Sequence, residues 1–229
     1  MKAYVQWATD KYPNVPIYLL GHSEGTYVAL QVAHEVQNVK GVALIGFFGS
    51  SLETISFEQF IYRPLEHFTA LDENRDEVLN EKELSSKNPI AEALRQQSAL
   101  MDLNADQHIS LSEFKAANFS NLLIRDFIGN PYRQDQASYP QVGEILSKAH
   151  FKVLFLQGMW DNQTPAYNTQ GVEMANKMVW KKDTFQFVYF PKLGHALDPR
   201  DNYVDIIYRP VDPEALKEVG KRIHSFFDE

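Results

Sequence analysis

The sequence predicts an α/β fold: a parallel sheet flanked by helices, interrupted by an all-helical insert. Three observations carry this. Strand-like and helix-like segments alternate through residues 1–49, the same alternation returns in residues 150–229, and residues 50–149 between them are polar, acidic and helix-prone. Strand, helix and strand joined by short links form a parallel, right-handed crossover.

Met1 to Tyr12 reads as a short helix with apolar Tyr4, Val5, Trp7 and Ala8, broken by Pro13 and Asn14. Pro16 to Leu20 is a short run of strand formers ended by Gly21. Thr26 to Val36 is apolar on most sides, as a buried helix is, and Val42 to Phe48 is a second buried strand. Later, Lys152 to Leu156 reads as strand, Thr169 to Met178 as helix, and Phe185 to Phe190 as strand. A last helix starts with Asp212 as N-cap, Pro213 in the first turn and Glu214 behind it. Its buried stripe is expected at Leu216, Val219, Ile223 and Phe226.

Composition narrows the function classes. A chain of 229 residues suits one sizeable domain carrying an insert. The formal net charge of −8 argues against non-specific nucleic-acid binding, which needs a basic footprint. No apolar run reaches the roughly 18 residues of a membrane span. The opening MKAYVQWATDKYP has no apolar core, so no signal peptide is expected in this chain. Without cysteine there are no disulfides, no thiolate zinc site and no thiol nucleophile. Compartment and oligomeric state stay open.

Gly21-His22-Ser23-Glu24-Gly25 is a G-x-S-x-G pentapeptide between a buried strand and a buried helix, the setting a nucleophile elbow requires. The glycines are expected because the turn leaves no room for a β-carbon near the serine. The chain here resembles the α/β-hydrolase family, whose catalytic order is serine, acid, histidine. That resemblance assigns the acid to Asp161, in GMWDNQTP after the strand KVLFLQ, and the base to His195, in FPKLGHA after the next strand. It implies that Ser23 attacks, His195 takes its proton, and Asp161 holds the imidazole in place. The backbone N–H of Glu24 would give one oxyanion hydrogen bond. Asp198 and Asp201 are rival acids, but they follow His195 and lack the post-strand position. His22 reads as a packing residue beside the elbow.

The resemblance covers residues 1–49 and 150–229, the C-terminal half of such a core. The family's first four strands, with the loop that gives the second oxyanion donor, are expected outside this chain. The strand at Ile17 to Leu20 is then an open apolar edge through which pairing can occur.

The insert contains a repeated pattern. Asp72-x-Asn74-x-Asp76 is followed by Val78, Leu79 and Glu83; Asp102-x-Asn104-x-Asp106 is followed by His108, Ile109 and Glu113. Both segments resemble the twelve-residue EF-hand loop, over about residues 60–120. The resemblance implies two calcium sites. Asp72, Asn74, Asp76 and Glu83, or Asp102, Asn104, Asp106 and Glu113, would supply side-chain oxygens, with the carbonyls of Val78 and His108 at position seven. Leu79 and Ile109, at position eight, are expected to pair. Position six, usually glycine, is Glu77 and Gln107, which must adopt a strained turn at a cost of about 1 kcal/mol. Weak sites are therefore expected.

Together these features predict a serine hydrolase acting on a small-molecule carboxylic ester or other acyl substrate, with calcium bound in a lid-like insert and no organic cofactor. A ligand pocket is expected between the strand ends and the insert. Two alternatives remain: a calcium-binding module on an inactive, truncated hydrolase scaffold, and a peptidase or thioesterase using the same triad.

Overall fold

A computed structural model describes residues 1–49, 51–128 and 139–228. It divides into two compact units: Met1–Ser51, Ala137–Tyr203 and Arg209–Glu229 form the first, and Leu52–Gln136 with Val204–Tyr208 the second. The division departs from the expected boundaries at two places. A helix at Val142–Ser147 buries Val142, Ile145 and Leu146 in the first unit, and Val204 and Ile206 pack on the core of the second.

The first unit is a four-stranded, wholly parallel sheet with flanking helices. In chain order the elements are α1 (Lys2–Lys11), β1 (Ile17–His22), α2 (Glu24–Glu35) and β2 (Val39–Ile45). After the second unit follow α9 (Val142–Ser147), β5 (Lys152–Gly158), α10 (Ala166–Ala175), β6 (Phe185–Phe190) and α11 (Pro213–Phe227). The strand order is β1-β2-β5-β6. The two central strands read as continuous apolar runs because both faces are covered: Val42 and Leu44 on β2 and Val153 to Leu156 on β5 have no exposed surface.

Several boundaries differ from the sequence reading. β1 continues through Gly21 to His22, which pair with Leu44 and Ile45, because β2 still offers ladder partners there. β2 starts earlier, at Val39, and stops at Ile45, since Gly46 turns the chain at φ +60°. In α1 only Val5 is buried, while Tyr4 and Trp7 are exposed. Among the described residues β1 is the last strand on its side of the sheet, with Leu20 59% exposed. Tyr18 is partly covered: its ring stacks on Phe227 at 4.6 Å and its hydroxyl donates to the Phe227 carbonyl. In α11 Asp212 caps as expected, its Oδ1 accepting from the Ala215 N–H at 2.8 Å. The expected stripe holds at Val219, Ile223 and Phe226 and fails at Leu216, whose place Ala215 takes. Ala215, Val219 and Phe227 are buried, with Ile223 and Phe226 packed beside them, and Leu216 faces solvent.

The second unit runs α3 (Leu52–Phe57), a π-helical turn (Glu58–Tyr62) and α4 (Arg63–Leu71) into a loop closed by β3 (Val78–Leu79). Then come α5 (Glu81–Leu84), α6 (Pro89–Arg95), α7 (Ser98–Met101), a second loop closed by β4 (Ile109–Ser110), and α8 (Leu111–Ile128). It is therefore not all-helical: β3 and β4 form a two-residue antiparallel ladder in which Leu79 pairs with Ile109. Those two side chains sit fully buried among Phe68, Leu71, Met101 and Phe114.

His67, on α4, titrates unusually. Burial first, and the Arg63 guanidinium second, push its pKa down to about 4, and its Nε2 has no hydrogen-bond partner among the described residues. Between its ordinary value and about 4 the unfolded chain takes up a proton that the folded unit refuses. Stability contributed by this unit should therefore fall as pH drops from 6.5 toward 4. Urea midpoints of the parent and His67→Gln at pH 7 and pH 5 check this: the parent should lose more between the two.

Candidate active site

Ser23 stands between the last residue of β1 and the first of α2, with φ 55° and ψ −126°. A non-glycine residue held there stores roughly 1–3 kcal/mol of strain, compensated by its surroundings. Its N–H donates to the Ile45 carbonyl at 3.0 Å, and its own carbonyl accepts from the Thr26 hydroxyl at 2.6 Å. Gly21 is required: a β-carbon there would lie 2.4 Å from the Gly25 carbonyl oxygen. Gly25 is not, since a β-carbon there would meet nothing within 4 Å, so the expectation from sequence holds for only one of the two glycines. Glu24 opens α2, so its N–H belongs to the first turn and has no acceptor within the helix.

Asp161 lies in the turn after β5 and is fully buried. The turn is fastened to the loop after β6, with the Met159 N–H donating to the Phe190 carbonyl and the Trp160 N–H to that of Leu193. Five donors surround the carboxylate. Oδ1 accepts from the N–H groups of Gln163 and Thr164, both at 2.9 Å. Oδ2 accepts from the Thr164 hydroxyl at 2.7 Å, His195 Nδ1 at 2.9 Å and Gln157 Nε2 at 3.1 Å. Burial alone would raise the pKa of Asp161. The bond to His195, its charge and the Thr164 donors outweigh that and hold the carboxyl below its ordinary value.

An ionised Asp161 settles the histidine tautomer. Nδ1 must carry the proton it shares with Oδ2, so in the neutral ring the lone pair is on Nε2, the tautomer a general base needs. The Thr164 oxygen, 3.1 Å from Nδ1, can accept a minor share of the same proton because its own hydrogen is given to Asp161. His195 is buried and packs on the backbone of Gly46, where a β-carbon would stand 3.0 Å from Nδ1. His22 adjoins it: the rings are 4.7 Å apart and His22 Nε2 bonds the His195 carbonyl at 3.1 Å. The loop bearing His195 is thus fixed to the residue preceding Ser23.

The rival acids are engaged elsewhere. Asp198 forms a buried ion pair with Arg200 at 2.8 Å, and Asp201 pairs with Arg209 at 2.7 Å. Sequence reasoning missed Gln157 and Thr164. Gln157 carried a usable signal, as a polar residue inside an apolar strand, where it must find partners. A cavity of about 200 Å³ in the same unit is lined by Phe47, Gly49, Val142, Leu146, Asn168 and Trp180, and by none of the three candidate residues.

The two loops of the second unit follow one backbone course. Asp72 Oδ1 and Asn74 Oδ1 accept from the Asp76 N–H, and Asp76 Oδ1 accepts from that of Val78. Asp102, Asn104, Asp106 and His108 repeat the pattern. Glu83 reaches back to the N–H of Glu73, and Glu113 to those of Leu103 and Asn104. Glu77 and Gln107 do adopt positive φ, at 63° and 68°, and so do Arg75 and Ala105 at position four, which the sequence did not reveal. The oxygens suit a hard cation in kind. Among the described residues, however, no three His, Asp or Glu side chains are arranged to hold a metal ion. No described helix is long and apolar enough to cross a membrane.

A family model described as the alpha/beta hydrolase fold matches residues 1–191. No curated protein sequence matches the chain. Solved structures similar to it include a Staphylococcus aureus protein with unknown function (15% identity, TM-score 0.50, covering 99% of this chain and 69% of that one). Others are an alpha/beta fold family hydrolase from Bacillus anthracis (17%, TM-score 0.49, 98% and 72%) and a monoacylglycerol lipase from Paleococcus ferrophilus (13%, TM-score 0.42, 98% and 73%). At 15% identity the likeness to the first bears on fold alone. With the family model matching most of its length, the chain belongs to the α/β hydrolase family.

Proposed function

We propose that this chain is a serine hydrolase that cleaves carboxylic esters through Ser23, His195 and Asp161. The observation that carries the reading is the buried Asp161–His195 pair, joined at 2.9 Å, whose histidine backbone is hydrogen-bonded to His22, the residue preceding the strained Ser23. In the proposed reaction Ser23 Oγ attacks the ester carbonyl carbon while His195 Nε2 takes its proton. The Glu24 N–H stabilises the oxyanion. The tetrahedral adduct expels the alcohol, which receives the proton from His195, and water then releases the acid by the same steps. Asp161 stabilises the imidazolium without itself becoming protonated. Turnover of a panel of p-nitrophenyl esters, beside thioester and peptide substrates, tests this against Ser23→Ala. Ester turnover lost in the variant supports the reading. Turnover that survives places the chemistry elsewhere, and a preference for thioesters or peptides moves the substrate class.

A second reading concerns the other unit: that its two loops bind calcium through Asp72, Asn74, Asp76, Val78 and Glu83, and through Asp102, Asn104, Asp106, His108 and Glu113. The repeated loop course and the Leu79–Ile109 pairing support it. Two left-handed non-glycine residues per loop point to weak sites, nearer the sub-millimolar class than the nanomolar one. Calcium at a hundredfold excess over its dissociation constant should stabilise the fold by about 2.7 kcal/mol for each occupied site. Calorimetric titration of chelator-treated protein checks this. Glu113→Gln should weaken binding more than Glu83→Gln, because Glu113 orients the second loop through Leu103, Asn104 and Ser110. No heat and no rise in melting temperature at millimolar calcium would contradict it.

A further inference from the structure

We propose that Gln157 is a positioning residue of this active site, whose side-chain amide holds the Asp161 carboxylate in line with His195 and ties it to the loop after β2. The proposal rests on the hydrolase reading above. Gln157 is the next-to-last residue of β5 and has no exposed surface. Every polar atom of its amide is used. Oε1 accepts from the Phe47 N–H at 3.2 Å and the Thr169 hydroxyl at 2.9 Å. Nε2 faces Asp161 Oδ2 and the Thr164 carbonyl, both at 3.1 Å, and the Gly158 carbonyl at 3.2 Å.

These partners fix which end of the amide is which. The Phe47 N–H can only donate, so the amide oxygen must face it; a flipped amide would set an N–H against an N–H and a carbonyl oxygen against a carboxylate. Three groups thus enforce a donor at Asp161: the Phe47 N–H in the loop after β2, the Thr164 carbonyl in the turn after β5, and the Gly158 carbonyl at the end of β5. A hydrogen-bonded chain runs from Thr169 through Gln157 and Asp161 to His195. The titratable groups on this chain are Asp161 and His195, with His22 beyond the histidine. Satisfying a buried amide does not by itself require a carboxylate partner. Spending its N–H on the oxygen that also meets His195 makes it part of the site's electrostatics.

Two substitutions separate positioning from packing. Gln157→Met keeps the bulk and removes both the donor to Asp161 and the acceptor toward Phe47 and Thr169. A hydrogen bond to a charged group is worth enough to lower kcat about tenfold to a hundredfold at every pH, with KM within about twofold of the parent. Gln157→Glu keeps the shape and the acceptor toward Phe47 and Thr169. Its second oxygen meets Asp161, and two carboxyl groups at that distance share one proton. While that proton is held, the introduced carboxyl group donates to Asp161 in place of the amide, and kcat exceeds that of Gln157→Met. When it leaves at higher pH, activity falls, adding a basic limb that the parent lacks.

The test is the pH profile of kcat and KM for parent, Gln157→Met and Gln157→Glu, with the proton NMR signal of the His195 ring N–H followed in all three. Expected are a uniform loss in Gln157→Met, a new basic limb in Gln157→Glu, and a ring N–H signal that moves in both. Equal, pH-independent losses with an unmoved signal would overturn the proposal, as would kcat within twofold of the parent in folded Gln157→Met. A parent that turns over no ester, thioester or peptide refutes the hydrolase reading alone. The ring N–H signal still decides the positioning: moved in Gln157→Met it supports it, unmoved it overturns it.

Discussion

Replacing Asp161 by asparagine is expected to lower kcat by about four orders of magnitude while leaving KM nearly unchanged. The carboxylate accepts from five donors, and an asparagine has one oxygen to offer them. If that oxygen keeps the two backbone N–H groups of Gln163 and Thr164, the new NH2 group faces His195. Nδ1 must then accept, the ring proton moves to Nε2, and the base at Ser23 is lost. The same substitution has a signed effect on acid stability. The folded-state pKa of Asp161 lies below its ordinary value, so its contribution is fully present above that value and is lost as pH falls through the folded one. In Asp161→Asn this part of the acid sensitivity should disappear. Denaturation midpoints of both proteins between pH 6 and pH 3 check it, and identical acid profiles would contradict it.

His195→Gln should cost more, about a million-fold in kcat, with residual turnover supplied by binding and the oxyanion donor. Ser23→Ala should lose a similar amount, and the double variant no more than either alone, because the two side chains act as one unit. Losses that add would mean that Ser23 and His195 serve separate steps. A His195→Gln protein within a few-fold of the parent would remove the base from the account.

Much of the first unit was legible because its signals are local. Gly21 to Gly25 sits between a strand and a helix, Asp161 and His195 each follow a strand, and Asp212 caps the last helix as a side-chain acceptor should. The helical stripe was legible at Val219, Ile223 and Phe226, but period alone does not say which neighbour faces the sheet at its first turn, where Ala215, small enough to sit close, takes the place expected for Leu216. Gln157 was legible as a polar residue that must find partners inside an apolar strand, but those partners, at Phe47, Asp161 and Thr169, lie on separate elements that only the folded sheet brings together. The loops of the second unit were legible in pattern, but left-handed Arg75 and Ala105 were not, since neither residue type announces that conformation.

The measurement that bears most directly on the central claim is the site of covalent capture by a fluorophosphonate, located by mass spectrometry of the digested protein. The account predicts one adduct, on Ser23, absent from Ser23→Ala and formed far more slowly in His195→Gln and Asp161→Asn. An adduct on any other residue, or labelling of Ser23→Ala at the parent's rate, would contradict it.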